Sequence, residues 1–148
     1  MAHKRLLVDR VLVSAWKTPE SADVSAITSE VEGVRARLDK PLLYLSVIGP
    51  SSLPKGDIRD ELVSFYQSLL TNCESIHIVI EGTEFQQSIK RSVIANVLLV
   101  VPARGRVFIE NTLPGVLSSS PGAVRPELAR AAQHGAEQRL FDFAREAI

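Results

Sequence analysis

The sequence is poor in the residues that most often carry chemistry. Cysteine occurs once, at position 73, and tryptophan once, at position 16. A lone Cys73 closes no disulfide within the chain, which fits a reducing compartment. The neighbouring carboxylate of Glu74, and the place of Cys73 at the expected end of a helix, disfavour a thiolate. The three histidines, His3, His77 and His134, fall on separate stretches, His3 in an expected frayed terminus, and none has metal-ligand spacing. His77, in an expected strand, reads as exposed or hydrogen-bonded rather than as a ligand. There is no Gly-x-Ser-x-Gly elbow, no Walker pattern and no Gly-x-Gly-x-x-Gly run. Asp57, Asp60 and Glu61 cluster where a helix is expected to start, and acids belong there for reasons of the helix dipole alone. No catalytic residue, metal or cofactor is therefore expected.

Charge of one sign is lacking too. Lys plus Arg number 17, and so do Asp plus Glu. A nucleic-acid binder would show a basic surplus or an aromatic platform. Here the aromatics are scattered on apolar faces, so no nucleic-acid partner is expected. The balance is locally uneven, with Glu20, Asp23, Glu30 and Glu32 early and Lys90, Arg91, Arg104 and Arg106 later. Solvated surfaces account for that pattern. The longest apolar-rich run, residues 93–101, contains Asn96 and is far short of the roughly 20 residues that cross a bilayer. The first ten residues hold no apolar core of a signal peptide. The expectation is a cytoplasmic chain without membrane insertion.

What is present is an alternation of two periods. Residues 6–16 carry Leu6, Leu7, Val8, Val11, Leu12, Val13 and Trp16 and read as extended, with Asp9 and Arg10 marking a bend or an exposed edge. Thr18, Pro19 and Glu20 announce a helix. Its apolar residues Val24, Ile27, Val31, Val34 and Leu38 recur at spacings of 3, 4, 3 and 4, and Pro41 ends it. Residues 42–48 suit a strand buried on both faces. A loop over 49–56 leads to a helix capped by Asp57, with Ile58, Leu62, Phe65 and Leu69 inside. A strand over 75–81 precedes a third helix whose inner face is Phe85, Ile89, Val93 and Val97. Another strand covers 106–111, and Thr112 caps a short helix ending at Leu117. Residues 118–126 hold three serines, two prolines and a glycine and read as a linker. The expected fold class is α/β. It comprises a single domain over 1–117, with a four- to five-stranded, mostly parallel or mixed sheet flanked by helices, and an extra C-terminal helix over 127–148.

The element order over residues 41–117 resembles that of a STAS domain (sulfate transporter and anti-sigma factor antagonist) of the SpoIIAA-like kind. The preceding strand and helix fit as well, so the resemblance covers about four-fifths of the chain. It implies a non-catalytic protein-binding module, an adaptor or scaffold in bacterial signalling. Antagonists of that family carry an Asp-Ser-Ser-Gly-type segment at the start of the helix after the buried strand. Its serine is phosphorylated by a partner kinase, which switches binding off. At the matching place this chain has Lys55-Gly56-Asp57-Ile58, so that phosphoacceptor is absent. Ser51 and Ser52 lie earlier in the loop, and Ser52 is the candidate phosphorylation site, although turn chemistry also accounts for both serines.

The expected partner surface is Ser51, Ser52, Lys55 and Asp57 in the loop, with Arg59 and Tyr66 on the adjoining exposed helix face. Trp16 reads either as a core lid or as a partner anchor. The C-terminal helix is a candidate homodimer surface, because Leu140 and Phe143 need cover. The alternative is a small-molecule- or anion-binding α/β domain, with or without enzymatic activity. Its site would lie at the strand C-terminal edge, with Glu81 and Glu84 as ionisable residues.

Overall fold

In the computed structural model, which describes residues 3–50, 57–101 and 105–146, the extended N-terminal stretch is two strands rather than one. Strands β1 (His3–Val8) and β2 (Val11–Trp16) pair antiparallel, Val8 opposite Val11. Asp9 turns the corner at φ 53°, a left-handed conformation that Asp tolerates better than most residues. Then come α1 (Ser21–Arg37), β3 (Leu42–Ile48), α2 (Arg59–Asn72), β4 (Cys73–Ile80), α3 (Glu84–Leu98) and β5 (Val107–Glu110). The chain closes with α4 (Leu113–Ser119), α5 (Arg125–Glu137) and α6 (Leu140–Arg145). The strands lie in chain order, β1 antiparallel to β2 and the rest parallel, so the fold is α/β with a mixed five-stranded sheet. No helix among the described residues is long and apolar enough to cross a membrane.

Strand alternation sends side chains to two separate cores. On one face Leu12, Trp16, Leu42, Tyr44, Ile76, Ile78 and Ile80 meet α1, α2 and α3. On the other Val11, Val13, Ala15, Leu43, Leu45, Val47 and Val79 meet α4, α5 and α6. The stripe expected on α1 is the buried one: Val24, Ile27, Val31 and Val34. Of the stripe expected on α3 only Val97 is buried, Ile89 and Val93 being half-buried. Its buried face is Lys90, Ile94, Val97 and, just past the helix end, Val101, while Phe85 is 74% exposed. The helix is turned by one residue from the expected phase because Lys90, a charged side chain, occupies an inward position.

The terminal segments also differ from expectation. His3 is buried rather than frayed: its ring stacks on Trp16 at 4.9 Å and its Nδ1 lies 3.2 Å from the Asp23 carboxylate. The serine- and proline-rich stretch over 118–126 ends α4 and starts α5 through a tight turn. Ser120 and Val124 are buried there, and the Arg125 guanidinium donates to the carbonyls of Leu117, Ser118 and Ser120. The single helix expected over 127–148 is two helices, broken where Arg139 adopts φ 56°. The break folds Phe141 back onto Gly135, where a Cβ would lie 2.9 Å from the ring. Leu140, Phe141 and Phe143 are thereby covered by the chain's own sheet.

Ion pairs fasten this C-terminal pair of helices at both ends of the strands. The Arg10 guanidinium donates to both Glu127 oxygens, at 2.8 and 2.9 Å, and to Glu74 at 3.2 Å. At the opposite edge Arg145 grips Glu81 at 2.8 Å, and Lys17 meets Glu146 at 2.7 Å.

Candidate functional site

Two polar positions interrupt the apolar strands at the same level of the sheet. Ser14 on β2 and Ser46 on β3 are register partners, and both point toward α1–α3. Tyr44 follows the same alternation on β3. The Ser14 Oγ lies 2.5 Å from the Tyr44 hydroxyl, and donates to the Ser46 Oγ at 3.2 Å. The Trp16 indole Nε1–H donates to Ser14 at 3.0 Å and to Tyr44 at 3.3 Å. All four side chains are buried, and burial pushes the Tyr44 phenol above its ordinary range. Such a cluster is retained inside an apolar core only when its groups satisfy one another or face something polar.

It does face something. A cavity of about 70 Å³ lies above it, walled by Trp16, Ile48, Leu62, Phe65, Tyr66 and Ile94. Lys90 closes the end nearest the strand termini. Although 3% exposed, its ammonium donates to the carbonyls of Gly49 at 2.6 Å, Pro50 at 2.8 Å and Glu81 at 3.2 Å. These three bonds use all of its protons and tie the ends of β3 and β4 together. Burial lowers the Lys90 pKa below the usual lysine range.

A second concavity adjoins the first on the outside. Asp57, Ile58, Arg59, Leu62, Val93 and Asn96 line a groove between the start of α2 and the middle of α3. Leu62, Val93 and Val97 border both spaces. Along α3 this groove meets an apolar face that the fold leaves uncovered. Phe85 is exposed and Ile89 and Val93 are half-buried, and their steps of four residues keep them on one helix face; Val100, past the helix end, is exposed too. Leu99 beside it is 82% exposed.

The expected partner residues distribute unevenly over this geometry. Ser51, Ser52 and Lys55 lie outside the described residues. Asp57 and Arg59 are exposed on the rim of the groove, and the Asp57 carboxylate accepts the Arg59 N–H at 3.2 Å, although the N-cap itself is Ile58, one position after the expected Asp57. Tyr66 is not on the exposed helix face: it is 6% exposed, packs on Phe65 and lines the cavity. Trp16 belongs to the cavity wall rather than to an outer surface. Of the alternative's carboxylates, Glu81 is held by Arg145 and Glu84 is exposed at the start of α3.

The remaining reactive groups are sealed. Cys73 is buried at the start of β4, and desolvation pushes its thiol up to about 12. His77, fully buried on the other face of the sheet, stacks on Phe108 at 5.1 Å. Its Nε2 lies 2.7 Å from the Ser75 hydroxyl and its Nδ1 2.8 Å from that of Ser120. The Ser120 proton is given to the Val116 carbonyl at 2.5 Å, so Nδ1 carries the histidine proton and Nε2 accepts from Ser75. Desolvation holds this neutral imidazole down at about 4. Of the later basic residues, Arg104 lies outside the described residues and Arg91 donates to the Asn111 side chain at 2.9 Å. Lys90 is internal, and the Arg106 guanidinium donates to the backbone carbonyls of Leu70, Cys73 and Glu74 at the end of α2.

Ser14, Tyr44 and Ser46 are not among the residues the sequence singles out, and Lys90 enters there only as part of a basic stretch. For Tyr44 and Ser46 the signal is polarity in the otherwise apolar stretch Leu42–Ile48; Lys90, among Gln86, Gln87, Ser88, Arg91 and Ser92, has no such signal. Comparison with known proteins returned no match to a family model, to a curated protein or to a solved structure. The likeness to STAS domains thus rests on the order of elements alone.

Proposed function

We propose that this chain is a non-catalytic protein-binding module that takes an amphipathic helix of a partner protein along the outer face of α3. One observation carries the reading: Phe85, Ile89 and Val93 form an apolar face of α3 beside the buried one, with Phe85 in water and the other two half-buried. A helix that is apolar on two adjacent faces has one more face than its own sheet can cover. The Asp57 and Arg59 side chains on the rim offer both charges beside that stripe, and such anchors at helical spacing match helix-in-groove recognition. A STAS-like adaptor role, without the usual phosphoacceptor, agrees with this reading. Binding is favoured over catalysis by the state of the reactive groups. Cys73 is a buried thiol, both His77 nitrogens are occupied, and Lys90 has no free proton.

The test is purification of the full chain from its native cells alongside Phe85→Glu, Val93→Arg and the remote Gln133→Ala. The expected result is one stoichiometric protein that co-elutes with the parent and with Gln133→Ala, is lost with the other two, and slows amide exchange along α3. A partner retained by both Phe85→Glu and Val93→Arg would refute the docking face.

A further inference from the structure

The cavity over Tyr44 and Ser46 is separate from the docking face in chemistry, and it is more than a packing fault. A void left by imperfect packing is apolar, whereas this one has an apolar wall and a floor that carries the Tyr44 and Ser46 hydroxyls, which are bonded in turn to Ser14 beneath them. We propose that it is a binding site for a small neutral molecule with an apolar ring or branched body and one hydrogen-bond acceptor, which takes the hydroxyl proton of Ser46, the one that the network of Ser14 and Tyr44 leaves unused. The proposal does not rest on the partner reading.

Size, charge and place each restrict the ligand. About 70 Å³ is room for roughly five or six atoms at the 10–15 Å³ that one water needs. A carboxylate head is disfavoured. It needs several donors to replace its hydration, and Lys90, the cation among the lining residues, already gives its three protons to Gly49, Pro50 and Glu81. The floor can therefore match one neutral acceptor and no more. The apolar remainder would lie between Ile48, Phe65 and Ile94, and the way in runs past Leu62 and Val93.

Trp16 makes the site self-reporting. It is the chain's one tryptophan, it walls the cavity, and its N–H belongs to the floor network. The experiment titrates the full chain with cyclopentanone, methylcyclopentane and isobutyrate, which share a heavy-atom count but differ in head group. Trp16 emission and the amide signals of Ser46 and Ile48 are followed. Cyclopentanone should give a saturable change. Methylcyclopentane should bind about fivefold more weakly, the worth of one neutral hydrogen bond, and isobutyrate should not bind. Ser46→Ala should bring cyclopentanone down to the hydrocarbon's affinity, and Ile48→Phe, which fills the cavity, should abolish both. The proposal fails if cyclopentanone gives no saturable change. It fails equally if a folded Ile48→Phe binds like the parent, if Ser46→Ala leaves the ketone's advantage intact, or if isobutyrate binds as well as the ketone.

Discussion

The backbone of Ala144 passes so close to Gly49 that a Cβ on Gly49 would stand 1.6 Å from the Ala144 carbonyl oxygen. Gly49 thus admits α6 to the end of β3, beside the Arg145–Glu81 pair. No side-chain adjustment relieves a clash with backbone. Gly49→Ala is expected to push α6 off the sheet and to cost about 2–3 kcal/mol, the range of overpacking in a tight contact. Chemical denaturation gives the magnitude, and amide exchange should rise over residues 140–146 before it rises elsewhere.

His77 makes stability depend on pH. The folded state holds its imidazole at about 4, below the ordinary 6.5, so the neutral form is the one the fold accepts. The contribution is complete above pH 6.5. It falls as the pH drops toward 4, where the unfolded chain takes up a proton and the folded one does not. Over that window the loss approaches about 3 kcal/mol, at 1.36 kcal/mol per unit. The difference in urea midpoint between the parent and His77→Gln, followed from pH 7 to 4, isolates this residue. A difference that stays constant with pH would contradict the assignment.

Cys73 should be inert to a thiol reagent in the native protein at pH 8 and react fully after unfolding. Its pKa near 12 leaves almost no thiolate, and its sulfur is buried. The native reaction rate then reports opening of the α2–β4 junction, and rapid labelling without denaturant would show that the junction is open.

The two apolar faces of α3 should separate under mutation. Ile94→Ala removes a core side chain and should cost about 2–4 kcal/mol. Phe85→Ser, at an exposed site, should change stability by no more than about 0.5 kcal/mol. A large cost at Phe85 would mean that this ring is packed in solution. Thermal unfolding of the two variants decides it.

The class of fold was legible because β-branched strands and the regular stripe of α1 point the same way. The phase of α3 was not, since apolar residues occupy two neighbouring faces and a lysine marks the true inner one. Lys90 can sit there because three strand-end carbonyls surround its ammonium, an arrangement that only the assembled sheet creates. Tyr66 was placed outside for a related reason. Helix α2 has α1 on one side and α3 on the other, so its covered arc is wider than the stripe of Ile58, Leu62, Phe65 and Leu69. In the stretch over 118–126, small and cyclic residues imitate a tether. Their smallness in fact lets Ser120 reach His77 and lets the chain turn closely beneath Val124. Of the candidate sites, Asp57 and Arg59 were visible as a charged helix start. The cavity was hidden, because Ser14 and Ser46 meet only through strand register.

The strands follow one another across the sheet in the order in which they are synthesised, and each of β3–β5 is preceded by the helix that covers one side. The opposite side is different: Val11, Val13, Leu43, Leu45 and Val47 are sealed chiefly by α5 and α6. During synthesis one half of the domain can close strand by strand, while the other keeps a broad aliphatic sheet bare until residues 125–145 have emerged. The nascent chain is therefore most open to aggregation, and to chaperones, after β5 has emerged and before α5 and α6 have.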